Sequence, residues 1–441
     1  MSHHSPRARH EPRIVITGMG AITNLGHNAA STWAGMREGR SGISPIEGDE
    51  FKQFNWHWGI RLGGQVKGWS PESVIEHREA RRLDRFTHFG LAAAVEAVRH
   101  SGVDFTLQNR ERCGVIVGSG IGGIRTIEEG THVIRDKGTD RCSPFTVPRL
   151  MANAAAGNIS IRFGLEGPAS THATACASSG HAIADAMYVL RRGEADIMLV
   201  GGAEAAVSPI CISAFGSMRA LSTRNDDPAR ASRPFDADRD GFVLAEGAAM
   251  FVIETEEHAK KRGATIYAEL LGCANSSDAS HITAPHPEGS GAARAMRLAL
   301  KDAHLNPEQI DYVNAHGTST PLGDKAEVLA ALSLFGDHAR TSRGGKLLMS
   351  STKSMHGHCL GASGAIELIA CIHAVRDGII APTINLDTPA AGRNEKTGEI
   401  EEPFDLDFVP HTAKERRIRY AMNNTFGFGG HNCSLVVGRY E

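Results

Sequence analysis

The 441 residues are 41% hydrophobic with a formal net charge of −3, enough apolar material for a large core and no global basic field of the kind nucleic acid needs. Eight cysteines are scattered with no CxxC pair, which fits a reducing compartment better than a disulfide framework. No apolar run approaches the roughly 20 residues of a membrane span, so a soluble cytoplasmic protein without membrane insertion is expected.

Residues 1–12 are polar and read as a disordered tail. The ordered chain opens with "RIVITGMG", a β-branched run ending in glycine, the pattern of a strand. "EHREARRLDRF" puts Arg78, Arg81, Arg82 and Arg85 on one helical stretch, the first three sharing a face at three- and four-residue spacing. Residues 85–99 read as a helix and "CGVIVGSG" as a second buried strand. "GSGIGG" matches G-x-G-x-x-G through Gly118, Gly120 and Gly123. The breakers in "IEEGTHVIRDKGTDRCSPF" argue against the helix and acidic-ended strand that a dinucleotide site requires. Next comes "THATACASSG", followed by Ile183, Ala186, Met187 and Leu190 at the spacing of one buried helix face, and by the strand "ADIMLVGGAEA". Apolar strands alternating with helices predict parallel sheets covered on both faces. "TPAAGRNEKTGEIEEP" is polar and aperiodic, a surface loop.

The second half echoes the first. "ATACASSGHAIADAMYVLRRG" and "GHCLGASGAIELIACIHAVRDG" are both turns of small residues leading into a helix that ends at glycine. "GVIVGSG" and "YVNAHGT" are both strands running into a glycine turn. Two copies of one unit would bring the two helix starts to a shared centre. The division expected is a half from 13 to 265 and a half from 266 to 441.

Several groups could act at that centre. Cys176 sits where small residues become a helix. It reads either as a small buried hydrophobe or as a nucleophile whose thiolate the helix N-terminus favours. His316 follows a strand, beside Gly317 and the hydroxyls of Thr318 and Thr320, which read equally as helix caps. "SSTKSMHGHCLGASGAIE" holds Lys353, His356 and His358, with Glu367 placed to pair with Lys353. No cysteine or carboxylate stands at zinc spacing from the histidines, so no metal is expected. "MNNTFGFGGHNCSLVV" is a glycine-rich turn between strands. Its amides could cradle an oxyanion, and Phe426 and Phe428 suggest an apolar lid.

The order and wording of "TACASSG", "NAHGTSTPLGDKAE", "STKSMHGHCLGASGAIE" and "FGFGGHN" closely resemble the β-ketoacyl-acyl-carrier-protein synthases, from about Arg13 to about Val437. "GSGIGGI" looks most like the elongating type II subgroup. The resemblance implies an α/β thiolase-like fold: two pseudo-repeated βαβαβ-type halves in five layers (αβαβα), usually a homodimer. It implies that Cys176 accepts the acyl group and that His316 and His358 act on malonyl thioester. Lys353 would orient the site through Glu367, and the amides of Cys176 and Phe428 would form an oxyanion hole. Ile121, Phe426 and Thr146 would border the acyl pocket, and Arg78, Arg81, Arg82 and Arg224 would dock acyl carrier protein. No cofactor is implied beyond the carrier's phosphopantetheine. His356 and the long 388–402 loop depart from the family pattern. A polyketide ketosynthase shares every one of these groups. A non-catalytic partner subunit would lack Cys176, and a cysteine hydrolase would not need the second histidine and lysine.

Overall fold

The computed structural model describes residues 11–52, 59–394 and 396–441, so residues 1–10 of the expected tail lie outside it. Among the described residues, ten strands form one mixed sheet. They are β1 Ile14–Thr23, β2 Cys113–Gly118, β3 Ala169–His172, β4 Ile197–Glu204, β5 Gly247–Thr255, β6 Ala268–Ser277, β7 Tyr312–Asn314, β8 Leu348–Ser350, β9 Tyr420–Gly427 and β10 His431–Gly438. Their order is β8-β7-β9-β10-β6-β1-β5-β4-β2-β3. One topology therefore occurs twice, β3-β2-β4-β5-β1 and β8-β7-β9-β10-β6. The copies join where Ile14, Val15 and Ile16 pair with Leu270, Glu269 and Ala268.

The sheets are mixed rather than parallel. Three strands in each copy run parallel, β3-β2-β4 and β8-β7-β9. β5 and β10 return antiparallel beside them. β10 follows β9 after only residues 428–430, too short a link for the crossover a parallel pair needs.

Helices fill the remaining layers. α1, Arg85–Ser101, packs on β1 and β5 and covers one outer face; α4, Ser290–Asp302, packs on β6 and β10 and covers the other. Between the two halves of the sheet lie α3, Ser178–Arg191, and α6, Ser363–Asp377, giving the five-layered thiolase-like fold. The periodicity of α3 suggested one buried face. In fact 11 of its 14 residues and 13 of the 15 in α6 are buried, because sheet packs on both sides of the pair. The small residues at the two helix starts are what this crowding requires. A Cβ on Gly180 would stand 2.4 Å from Thr425 Oγ1, and one on Gly118 would stand 2.3 Å from the Ser179 amide nitrogen. Ser179 Oγ accepts the Ala365 amide hydrogen of α6 at 3.0 Å, so one helix caps the other.

Three local expectations fail. "GSGIGG" is followed by a helix after all, α2, Ile124–Lys137. The helix carries a glycine at 130 and buries only Thr126, whose amide and hydroxyl both bond Asp84. "TPAAGRNEKTGEIEEP" is not a plain loop: Ala390–Arg393 pairs antiparallel with Ile400–Pro403. The arginines do not share one helix. His77–Ala80 is a single turn, the chain breaks before α1 with Asp84 as its N-cap, and Arg85 turns inward to buried Glu246 at 2.8 Å. No helix among the described residues is long and apolar enough to cross a membrane.

Candidate active site

Cys176 lies in the tight turn Ala175–Ala177 that leads straight into α3. His316 follows β7, and His358 follows the short helix Lys353–His356. The sulfur and one nitrogen of each histidine lie within 4.8 Å of one another, all three residues buried. His358 Nε2 is 3.0 Å from the sulfur, and the two imidazoles meet edge to face with ring centres 5.3 Å apart. Ala175 adopts φ +50° to hold the thiol there. Such left-handed backbone costs a non-glycine residue about 1–3 kcal/mol. Leu360, at the matching turn before α6, adopts φ +42°.

Each histidine has a second partner that governs its tautomer. Lys353 Nζ stands 3.4 Å from His316 Nδ1. An ammonium only donates, so Nδ1 accepts and Nε2 carries the hydrogen. Lys353 is itself buried and ion-paired with buried Glu367. Ser363 Oγ lies 2.9 Å from His358 Nδ1. A hydroxyl donates or accepts, so His358 can present Nε2 as acceptor or as donor.

Burial sets the protonation states. It pushes the Cys176 thiol up to about 12, and Lys353 and the Phe428 amide pull it back only in part. The thiolate expected from the helix N-terminus is therefore not the resting form: desolvation outweighs the dipole. Burial, then Lys353, holds His316 and His358 well below the ordinary imidazole value, so both are neutral. Burial raises Glu367 to about 7 against the pull of Lys353.

The three reactive atoms open on a cavity of about 470 Å³. Ile121, Phe426, Phe428, Thr318 and Thr320 line it. Thr320 holds the N-cap position of α5, Pro321–Phe335, yet makes no cap bond; its hydroxyl pairs with that of Thr318 at 3.0 Å. Phe426 packs on the His316 ring at 5.9 Å. Phe428 leads the turn after β9 and meets Phe215 at 6.4 Å. Gly427 lies against the Cys176 turn, where a Cβ would be 2.8 Å from the Thr174 carbonyl oxygen. The backbone amides of Phe428 and of Cys176 itself act on the thiol, each pulling it down against burial. The turn is tied down at Gly429, whose amide donates to the Ile282 carbonyl at 2.6 Å.

This thiol, its two neutral histidines and the paired amides suit acyl transfer, and the sequence settles which kind. Residues 11–259 match the model for the Beta-ketoacyl synthase, N-terminal domain, and residues 267–387 that for the Beta-ketoacyl synthase, C-terminal domain. The chain belongs to the β-ketoacyl synthase family. It is 46% identical to a 3-oxoacyl-(acyl-carrier-protein) synthase 2 of Vibrio cholerae over 97% of this chain and 99% of the relative. It is 43% identical to one of Synechocystis over 97% and 98%. A beta-ketoacyl synthase from Burkholderia phymatum superposes with TM-score 0.87 at 35% identity, over 98% of this chain and 100% of that one. AntDE:AntF, a type II PKS acyl-carrier protein in complex with its ketosynthase bound to the hexaketide, superposes with TM-score 0.86 at 31% identity and the same coverage. Like its relatives, this β-ketoacyl synthase is a condensing acyltransferase.

Other expected residues of the synthase fall elsewhere. Thr146 is half-buried in the short helix Thr146–Leu150 and does not line the cavity of its own chain. It follows exposed Phe145 at the surface, so it borders no acyl pocket formed by this chain. Arg78, Arg81 and Arg82 are exposed, with Arg82 over the Phe145 ring at 4.9 Å. Arg224 is half-buried and donates to the Asp238 carbonyl at 3.1 Å. His356 bonds Thr352 Oγ1 at 3.1 Å and stays outside the reactive cluster.

Three residues of the site were not singled out. Ser363 lies five positions after His358. Glu327, inside "GDKAE", accepts the amides of His316 and Gly317 at 2.9 and 2.7 Å. Glu204 ends the apolar strand β4 and accepts the amides of the "GSGIGG" loop. Those amides are thus already occupied by a carboxylate of the same chain. Its signal was an acidic residue inside an apolar run with no basic neighbour.

Proposed function

We propose that this β-ketoacyl synthase lengthens acyl chains on acyl carrier protein by two carbons in fatty acid synthesis, by decarboxylative condensation with malonyl carrier protein. The observation that carries the reading is the buried Cys176–His316–His358 cluster at the wall of an apolar cavity. Identities of 43–46% to the synthase 2 relatives against 31% to the type II PKS ketosynthase support the fatty acid pathway.

In the first step His358 Nε2 takes the thiol proton while Sγ attacks the acyl thioester. The tetrahedral oxyanion sits between the amides of Cys176 and Phe428. Collapse leaves acyl-Cys176, and the departing phosphopantetheine sulfur recovers the proton. In the second step malonyl thioester loses CO2. The enolate oxygen takes hydrogen bonds from Nε2–H of His316 and of His358, now in its other tautomer. The carbanion attacks acyl-Cys176, the carbon–carbon bond forms, and the released thiolate is reprotonated. Lys353, held by Glu367, keeps His316 a donor throughout. Phe428 gates the acyl pocket that Ile121 and Phe426 border. No cofactor beyond the carrier's phosphopantetheine enters these steps. Arg78, Arg81, Arg82 and Arg224 meet the acidic carrier, and the enzyme works as a cytoplasmic homodimer.

Intact-mass measurement tests this. Acyl carrier protein should leave one acyl adduct, on Cys176. Malonyl carrier protein should then clear it as a 3-oxoacyl carrier two carbons longer. Release of the free acid instead would make the protein a hydrolase.

A further inference from the structure

Glu204 is fully buried at the end of β4, and among the described residues no cation pairs with it. Its carboxylate is held by hydrogen-bond donors alone. On one side are the amides of Gly120 at 2.7 Å and Ile121 at 3.3 Å and the hydroxyl of Ser119 at 3.1 Å. On the other is the amide of Gly361 at 3.0 Å, from the opposite half of the chain. The two segments it joins are in close contact: a Cβ on Gly361 would stand 2.3 Å from the Gly120 nitrogen. Gly361 sits in the turn before α6 as Cys176 sits in the turn before α3. The segments also carry two apolar walls of the cavity beside the nucleophile, Ile121 and Leu360, which pack in one cluster with Cys176.

We propose that Glu204 is a positioning and specificity-determining residue. It clamps the Ser119–Gly122 loop to the Leu360–Gly361 turn, and so fixes the gap between Ile121 and Leu360 that admits a long acyl chain to Cys176. A carboxylate suits this task because both of its oxygens accept. A glutamine of the same shape turns an NH2 toward amide hydrogens and must release at least one of them. The clamp does not reach His316, which is anchored through Glu327 and Lys353. Its direct contacts fall on Ile121 and the Leu360–Gly361 turn, the apolar wall of the cavity, so entry of a long acyl chain is the step most sensitive to Glu204. This rests on the condensing function proposed above.

The test is Glu204→Gln with Ser119→Ala as a milder second variant, since Ser119 also accepts the Gly122 amide at 3.1 Å and its loss loosens the same loop. Two half-reactions are measured on the purified enzyme: acylation of Cys176 from short- and long-chain acyl carrier protein, and decarboxylation of malonyl carrier protein without acyl donor. Glu204→Gln should lower kcat/KM for long-chain acylation about tenfold or more beyond any loss it causes in short-chain acylation or decarboxylation. Ser119→Ala should shift the chain-length profile in the same direction by a smaller factor. Equal loss in all three reactions, or an unchanged profile in both variants, would overturn the proposal. Parent enzyme that takes no acyl group on Cys176 would instead sink the condensing function itself.

Discussion

Lys353→Met separates what the buried ion pair does for folding from what it does for catalysis. Both partners are inaccessible to solvent, and methionine keeps most of the lysine stem. Stripping one partner from a buried pair costs about 3–5 kcal/mol when the other stays charged. Glu367 has an alternative, because burial already raises it to about 7 with Lys353 pulling it down. Without the lysine it rises further and takes a proton. A carboxyl held above its unfolded value favours the folded state most below the ordinary carboxylate range, and that advantage is lost as pH climbs to the folded value. In the parent the loss ends near pH 7; in the variant it continues above. The stability gap should be smallest near pH 6 and widen above pH 7 by about 1.4 kcal/mol per unit, up to the full 3–5 kcal/mol. Adding Glu367→Gln should abolish the widening. Malonyl decarboxylation should fall by about 10²–10³ in both single and double variants, because His316 loses the group that fixes its donor. Denaturation midpoints at pH 6 and 8, with CO2 release, measure both. A pH-independent gap, or decarboxylation restored in the double variant, would refute the reasoning.

His316→Ala should lower decarboxylation while still allowing acyl transfer, whereas His358→Ala should impair both, each donor being worth about 10²–10³ in rate; near-parental condensation in either variant contradicts the pair's role. Ile121→Phe should shorten the longest chain accepted, because added volume blocks the cavity, and acyl competition assays read this directly; an unchanged profile removes Ile121 from the pocket. Replacing Arg78, Arg81 and Arg82 with glutamate should weaken turnover of carrier-linked substrates, less so at high salt, and spare short free thioesters. Equal loss on both substrate types would make the patch structural.

The reactive centre was legible because its residues are tied to short local words. A thiol at a helix start, a histidine after a strand and a lysine five residues before a second histidine keep their meaning whatever surrounds them. The pseudo-repeat was legible for the same reason, since both helix starts must be small to approach Thr425 and Ser179. What depended on tertiary packing was not. The arginine spacing suggested a shared face, but Asp84 caps a new helix and Glu246 draws Arg85 inward. Thr146 stood in a familiar word yet lies on the chain's surface side. The resting thiol could not be read at all, because burial rather than the helix dipole decides it. Glu204 escaped notice because its partners are backbone amides, which leave no mark in the side-chain sequence.

The central claim is that one thiol carries the acyl group while two histidines, independently of it, generate the carbanion. Cys176→Ala tests this most directly. Incubated with acyl and malonyl carrier proteins and followed by CO2 release and peptide mass spectrometry, the variant should form no acyl adduct and no 3-oxoacyl product, yet still decarboxylate malonyl carrier protein. Condensation that persists through an adduct on another cysteine, or decarboxylation that vanishes with the thiol, would contradict the account.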